Sequence, residues 1–365
     1  MKVLLISNMY PDEKYPGFGV FVKHTEDILR NEGFTVDKIV RYKKIKMVEK
    51  LVDYLFFYLK ILYIGLFKKY DVFYIHFAAH PSIPILLIKF FKKRVKIVTN
   101  VHGTDVVPEN KIHELFQIFV SKLLNKSDLI IAPSDYFKDL VAVQYNISSN
   151  KIKTFPSGGI SKDIFYPIKD KKNIYEKFKF DMSTSYFGFV GRIEFGKGWD
   201  TLLEALNVLN NEKFLENKKV IFVGYGDQEN IFQEKVTLLG LEDKIIHFKY
   251  MQQNDLNQIY NILDFFCFPT ERKGESLGLV GIEAMACGTP VIGSEIAGLQ
   301  SYIKNQYNGF LFEPKNINKL VITIKKYYDL DTNTINLLRK NSYQTSQKFE
   351  KQNIKGVLVD IFHGV

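Results

Sequence analysis

The chain has 365 residues, of which 46% are hydrophobic, enough to bury more than one core and, at the usual domain size, to build two domains. Two cysteines, Cys267 and Cys287, supply neither a disulfide framework nor a cysteine-based metal cluster, so a reducing, cytoplasmic setting is expected. Lys and Arg number 50 against 40 Asp and Glu, a net charge of +10 that favours anionic partners in general; the basic residues are spread along the chain, which speaks against nucleic acid.

The opening "MKVLLISNMY" has no apolar run of signal-peptide length and no small-residue cleavage site; it reads as a first strand, residues 3–7. Further strands are predicted over 35–40, 72–76, 95–101, 129–132 and 152–155, with helices over 20–31, 112–125 and 135–145 between them. Strands alternating with helices indicate a parallel α/β sheet. A charged stretch, 166–185, interrupts the pattern, and the domain junction is placed there, giving domains 1–168 and 169–349 with a last helix over 350–365. The second half restarts with "YFGFVGR" and continues through "KVIFVGYG", "KIIHFKY", "DFFCFPT", "TPVIGS" and "NGFLFEP" as strands. No fixed-period repeat is visible. Residues 43–70 are dense in aromatic and aliphatic residues and fringed by lysines, with Asp53 and Lys60 interrupting a run too short for a comfortable membrane span. Two readings stay open: an interfacial helix on an anionic membrane surface, or a core helix with solvated lysines at its ends.

The stretch "GESLGLVGIEAMACGTPVIGS" places Glu275 and Glu283 among small and apolar residues. A helix is predicted from near Gly278 to Cys287, with Gly288 as its stop and Pro290 opening the next strand. Glu275 then lies in a loop at a strand's carboxyl end, where open α/β sheets bind ligands, and Glu283 lies within the helix. The first helical N–H groups, at Gly278, Leu279 and Val280, suit a phosphate or diphosphate. Carboxylates beside a phosphate are repelled by it, so the two glutamates are expected on hydroxyls, a sugar for one and a ribose for the other. An ordinary helix-to-strand turn with a solvated Glu283 accounts for the same spacing.

The run from Glu275 to Ile292 resembles the E-x7-E motif of retaining family 4 glycosyltransferases with the GT-B fold, including its EAMA-x-G-x-P-V-I continuation. "FVGRIEFGKGWDTLLEAL" is similar to the same family's strand, G-R, K-G and helix. The resemblance extends across most of the chain and implies two Rossmann-like domains with parallel sheets facing across a cleft, the last helix crossing back onto the first. Arg192 and Lys197 would clamp the donor diphosphate, Arg as a planar fork and Lys as a point charge. The loop with Gly224 and Gly226 would line base and ribose, and the Gly17 and Gly19 loop would approach the donor phosphates. In "VTNVHGTDV", His102 is implied near the transferred sugar, with Asp105 and His80 as acceptor-side candidates; His24 and His76 are left as structural or acceptor-side residues. Ser157 stands where the family's hinge usually has Asn, and Ser161 near its usual Asp. Asp329 to Asp331, "DLD", is read as a coincidental match to a metal-binding motif.

The implied chemistry is transfer of a sugar from a nucleoside diphosphate, uridine ahead of guanosine, with retention and without a metal or other cofactor. Arg192 and Lys197 would stabilise the leaving group while Glu275 holds the sugar and Glu283 the ribose. The acceptor would be a saccharide or a lipid-linked one in cell-surface polysaccharide or glycolipid synthesis, with the protein cytoplasmic or peripheral on the inner face of the membrane. A non-catalytic subunit that binds nucleotide or a partner glycosyltransferase, and a nucleotide-sugar epimerase, are the alternatives.

Overall fold

In the computed structural model, residues 1–15, 17–156 and 158–365 are described, Ile112 by its backbone alone. Among them the chain forms two compact units, residues 1–159 with 351–365, and residues 160–350.

The first unit runs β1 (Lys2–Ser7), α1 (Val20–Asn31), β2 (Thr35–Val40), α2 (Met47–Phe67), β3 (Val72–His76), α3 (Ser82–Phe91), β4 (Lys96–Asn100), α4 (Lys111–Lys126), β5 (Leu129–Ala132), α5 (Asp135–Gln144) and β6 (Ile152–Thr154). All strand pairs are parallel, in the order β2-β1-β3-β4-β5-β6. Parallel neighbours need a crossover, and helices supply it. With both faces of the sheet covered, the inner strands read as unbroken apolar runs: every residue of β3 is buried. Chain order reverses at β1, which opens a crevice beside β3 at the carboxyl edge.

The second unit runs α6 (Lys172–Phe178), β7 (Ser185–Val190), α7 (Trp199–Asn211), β8 (Lys218–Val223), α8 (Glu229–Leu238), β9 (Ile245–Phe248), α9 (Gln253–Ile262), β10 (Phe266–Phe268), α10 (Leu279–Ala286), β11 (Val291–Ser294), β12 (Gly309–Phe312), α11 (Ile317–Tyr328) and α12 (Thr332–Gln347). Its parallel order, β12-β11-β10-β7-β8-β9, reverses at β7, so the corresponding crevice lies between β7 and β10. Apolar cores fill both faces of this sheet.

The division between units falls at residue 159, ahead of the expected 168. Ile160 and Phe165 are buried in the second unit's core, and the Tyr166 and Ile168 N–H groups donate to the side chains of Asn257 and Asn261 in α9 (3.2 and 2.7 Å). The charged stretch that suggested a junction contains α6. Ser157 lies outside the described residues; Ser161 carries a turn, its carbonyl accepting from Ile164 and Phe165. The last helix, α13 (Lys351–His363), is part of the first unit. Its Phe362 meets Tyr74 and Phe34 edge-on, at 5.0 and 5.8 Å between ring centroids. Asp331 of the "DLD" run N-caps α12 by accepting from the Thr334 N–H at 3.0 Å.

Residues 43–70 contain α2, which has one buried side and one exposed apolar side. Phe57, Ile61 and Gly65 face the core, while Met47, Val48, Leu51, Leu55, Phe56 and Phe67 are exposed. Asp53 is ion-paired with Arg41 at 2.8 Å.

Candidate active site

The loop after β7 carries Arg192 and Lys197, and the loop after β10 carries Glu275, so both reach the crevice where the second sheet reverses. Lys197 Nζ lies 2.7 Å from Glu275 Oε2, with each side chain about 14% and 13% exposed respectively. Thr270 Oγ1 is 3.1 Å from the same carboxylate oxygen, and the Gly298 N–H donates to the Glu275 carbonyl at 3.1 Å, anchoring the loop. Burial pushes the Glu275 carboxyl up, but the Lys197 charge and hydrogen bond, with Arg272 and Thr270, outweigh it and leave the group below its usual range.

Arg192 is placed differently from its expected partner. Its side chain is 59% exposed and pairs with Glu194 at 2.9 Å, while Lys197, the other cation expected on the donor diphosphate, lies against Glu275. Arg272, which sequence reasoning passed over, approaches the same loop: a Cβ on Gly196 would meet its Cγ at 3.1 Å.

Gly278, in the left-handed region at φ 74°, caps α10. The Leu279 and Val280 N–H groups begin the helix and have no intrahelical acceptor. Glu283, a turn further, is half-buried and has Tyr260 Oη 3.4 Å away. Burial raises its carboxyl from 4.5 to about 7, with the Tyr260 hydroxyl pulling weakly the other way. The two glutamates of the motif thus sit in opposite electrostatic settings.

The glycines of the neighbouring loops face the protein's own backbone. A Cβ on Gly224 (φ 144°) would stand 1.8 Å from the Gly191 carbonyl oxygen, and one on Gly226 2.4 Å from that of Ile193. Ile193 N donates to Tyr225 O, and Gln228 N to Ile193 O (3.1 and 3.0 Å). These glycines therefore let two loops stack on each other.

In the first unit Gly19 (φ 73°) lies against Met9 and Tyr10, whereas a Cβ on Gly17 would meet nothing within 4 Å among the described residues. His102 Nε2 is 3.1 Å from His76 Nδ1, and His76 Nε2 is 3.2 Å from Thr25 Oγ1. The Thr25 hydroxyl donates to the Val22 carbonyl at 2.8 Å, so its oxygen accepts from His76 Nε2–H. His76 Nδ1 then accepts from His102 Nε2–H, and His102 keeps a bare Nδ1. Burial holds both rings neutral, His102 down to about 3 and His76 well below 6.5. Asp105, fully buried, accepts from the His102 and Ala78 N–H groups, both at 2.8 Å. It clasps the loops after β3 and β4. Burial raises its carboxyl to about 6 against the pull of those N–H bonds. His80 packs on Tyr54 at 4.7 Å; His24 lies 3.4 Å from Lys351 Nζ. Among the described residues no group of three His, Cys, Asp or Glu is placed to hold a metal ion.

A Glycosyltransferase Family 4 model matches residues 19–158, and a Glycosyl transferases group 1 model matches residues 170–345. The chain belongs to the family 4 glycosyltransferases. Mannosylfructose-phosphate synthase of Agrobacterium fabrum is 27% identical over 244 residues, 65% of this chain and 53% of that protein, so the match spans about half the relative's length. Sucrose-phosphate synthase of Thermosynechococcus elongatus superposes with a TM-score of 0.81 at 19% identity, covering 100% of this chain and 98% of its own. HepE of Anabaena, solved with UDP and glucose, does so with 0.76 at 18%, covering 100% of both chains. These likenesses show the two-domain GT-B fold.

Two measurements test the electrostatics. Lys197→Ala leaves a largely buried carboxylate without its cation and should destabilise the second unit by about 1–3 kcal/mol, whereas Arg192→Ala, removing an exposed pair, should cost under about 1 kcal/mol; urea unfolding compares them. For Glu283 the folded state holds its proton up to about pH 7 while the unfolded chain releases it near 4.5. Its stabilising contribution is therefore full below 4.5 and is lost as pH rises towards 7, and Glu283→Gln should flatten that part of the stability profile.

Proposed function

We propose that the protein transfers a sugar from a nucleoside diphosphate sugar to a saccharide or lipid-linked acceptor, with retention at the anomeric carbon, in cell-surface polysaccharide or glycolipid synthesis. The observation that carries this reading is the Lys197–Glu275 pair at the second sheet's reversal point, beside the N-terminus of α10.

A donor diphosphate entering this crevice competes with Glu275 for Lys197 and gains the Leu279 and Val280 N–H groups. Arg192, exposed and held among the described residues by Glu194, swings its fork onto the phosphate. Released from Lys197, Glu275 accepts hydrogen bonds from the sugar hydroxyls and opposes the positive charge that develops as the diphosphate departs. A phosphate oxygen of the leaving group takes the acceptor's proton on the same face, which accounts for retention. These cations neutralise the leaving group without a metal. Glu283 holds the ribose, and the loop at Gly224 and Gly226 lines the base. Uridine is preferred because HepE, which shares the fold, was solved with UDP and glucose.

Calorimetric titration with UDP, GDP and ADP should show UDP binding tightest and at least ~10-fold weaker binding in Lys197→Ala, the loss expected for a charge-assisted contact. Glu275→Ala should keep nucleotide binding and lose turnover. Failure of all three nucleotides to bind would put the non-catalytic subunit in first place.

An anionic membrane surface is the proposed setting for the acceptor. Helices α2, α3 and α4 lie side by side and hold half of the exposed large apolar side chains among the described residues, including Phe56, Leu59, Phe67, Phe90, Phe91 and Leu115. Lysines cluster at both ends of α2, at 43, 44, 46 and 50 and at 68 and 69. An apolar stripe bracketed by cations suits a helix lying in the headgroup region. No helix among the described residues is long and apolar enough to cross a membrane. Vesicles of phosphatidylcholine with phosphatidylglycerol should float the protein, less so at high salt, and Leu55→Glu with Leu59→Glu should abolish flotation while leaving UDP binding unchanged.

A further inference from the structure

Beside the crevice of the first sheet, at the carboxyl ends of β1 and β2, lies a cavity of about 320 Å³. Asn8 and Met9 enter it from the end of β1, Arg41 to Lys44 from the end of β2, Phe18 from the glycine loop, and Lys50 and Tyr54 from α2. Its charged lining consists of Arg41, Lys43, Lys44 and Lys50, with no carboxylate among the residues that line it. Such a wall calls for an anion.

Two further observations sharpen the ligand's chemistry. Asn8 is 7% exposed, and its Oδ1 has no hydrogen-bond partner among the described residues. A buried acceptor left unsatisfied is costly, and what it lacks is a donor, which an anion alone cannot provide but a hydroxyl can. Arg41 is prepared rather than loose: 6% exposed, with Nε bonded to Asp53 at 2.8 Å and its guanidinium carbon 3.3 Å from the centroid of the Tyr54 ring. That geometry holds the fork and leaves its two Nη groups to meet ligand oxygens. Phe18, Tyr42 and Tyr54 add apolar walls.

We propose that this cavity is a sugar-phosphate subsite for the acceptor: the phosphate ester meets Arg41 and the lysines, and a sugar hydroxyl donates to Asn8 Oδ1. The inference rests on the glycosyltransferase reading and narrows its acceptor to a phosphorylated saccharide, free or borne on a lipid. The lipid-borne form is accommodated because Lys50 and Tyr54 belong to α2, whose neighbouring Leu51 and Leu55 are exposed.

The test titrates the full chain with glucose 6-phosphate and with glucose, and measures its binding to phosphatidylcholine vesicles carrying phosphatidylinositol or, at equal charge, phosphatidylglycerol. Glucose 6-phosphate binding at least ~10-fold tighter than glucose, as loss of charge-assisted contacts dictates, supports a free ester. A preference for phosphatidylinositol over phosphatidylglycerol supports the lipid-borne form. In either case Lys43→Ala with Lys44→Ala should remove the binding and Lys197→Ala should not. Asn8→Ala should weaken it by about 5-fold, one hydrogen bond's worth, with an unchanged or higher Tm, since the variant deletes an unsatisfied atom; this combination separates a binding role from a structural one. Absence of both preferences, or binding indifferent to these variants, overturns the proposal. UDP titrated into the same samples keeps the two readings apart. Intact UDP binding without sugar-phosphate binding sinks the subsite alone, and the converse sinks the donor reading alone.

Discussion

Backbone pressed on backbone at the carboxyl edge of the second sheet is the constraint from which the candidate site follows. Gly198, at the start of α7, would place a Cβ 1.8 Å from the Pro269 carbonyl oxygen, and Gly224 would place one equally close to that of Gly191. No side chain fits at either point, and both residues have positive φ, so glycine is required despite the entropy it loses on folding. The first contact draws the loop after β7 onto the end of β10. That approach brings Lys197 within 2.7 Å of a glutamate 78 positions away in sequence.

The pair then decides how the two glutamates of the motif differ. Both leave water, and desolvation alone would neutralise each. Glu275 has a cation at bonding distance and remains a carboxylate; Glu283 has a phenol at 3.4 Å, and burial raises its carboxyl to about 7. One motif therefore presents a fixed negative charge at the reversal point and an adjustable one within α10. Environment, rather than residue type, sets their charge, as is general for paired carboxylates.

Much of the fold was legible because buried parallel strands are written as short apolar runs between helical periods. The strands at 35–40, 72–76 and 129–132 have the bounds the sequence indicated, and α10 falls between the glycines that mark it. The sequence indicated which loops of the second unit carry Arg192, Lys197 and Glu275, but not that Lys197 meets Glu275 or that Arg192 pairs with Glu194, because spacing says which loop carries a long side chain and not where it turns. Asn8 and Arg41 gave no signal. They come together only because β1 and β2 are paired in register, Ser7 against Val40, and adjacency across a sheet is not written in either segment. The apolar content of α2 was visible, but its division between core and surface depends on the neighbouring α3: a side chain on Gly65 would strike Ile88 at 2.4 Å.

The membership of α13 in the first unit bears on how the chain is made. Domains emerging from a ribosome generally fold in order of synthesis, yet the first unit here is interrupted by the whole of the second. Ile354, Leu358, Ile361 and Phe362 complete the cluster built on Val3, Leu5 and Tyr74, and they are made after the whole of the second unit. The first sheet must wait with part of its apolar face uncovered while residues 160–350 are produced and, having all their own core, fold ahead of it. The thirteen-residue α13 thus acts as a closing signal for the first unit, and a ribosome that stops short of it releases a finished second unit tethered to an unfinished first, with the hydrophobic surface that chaperones and proteases recognise.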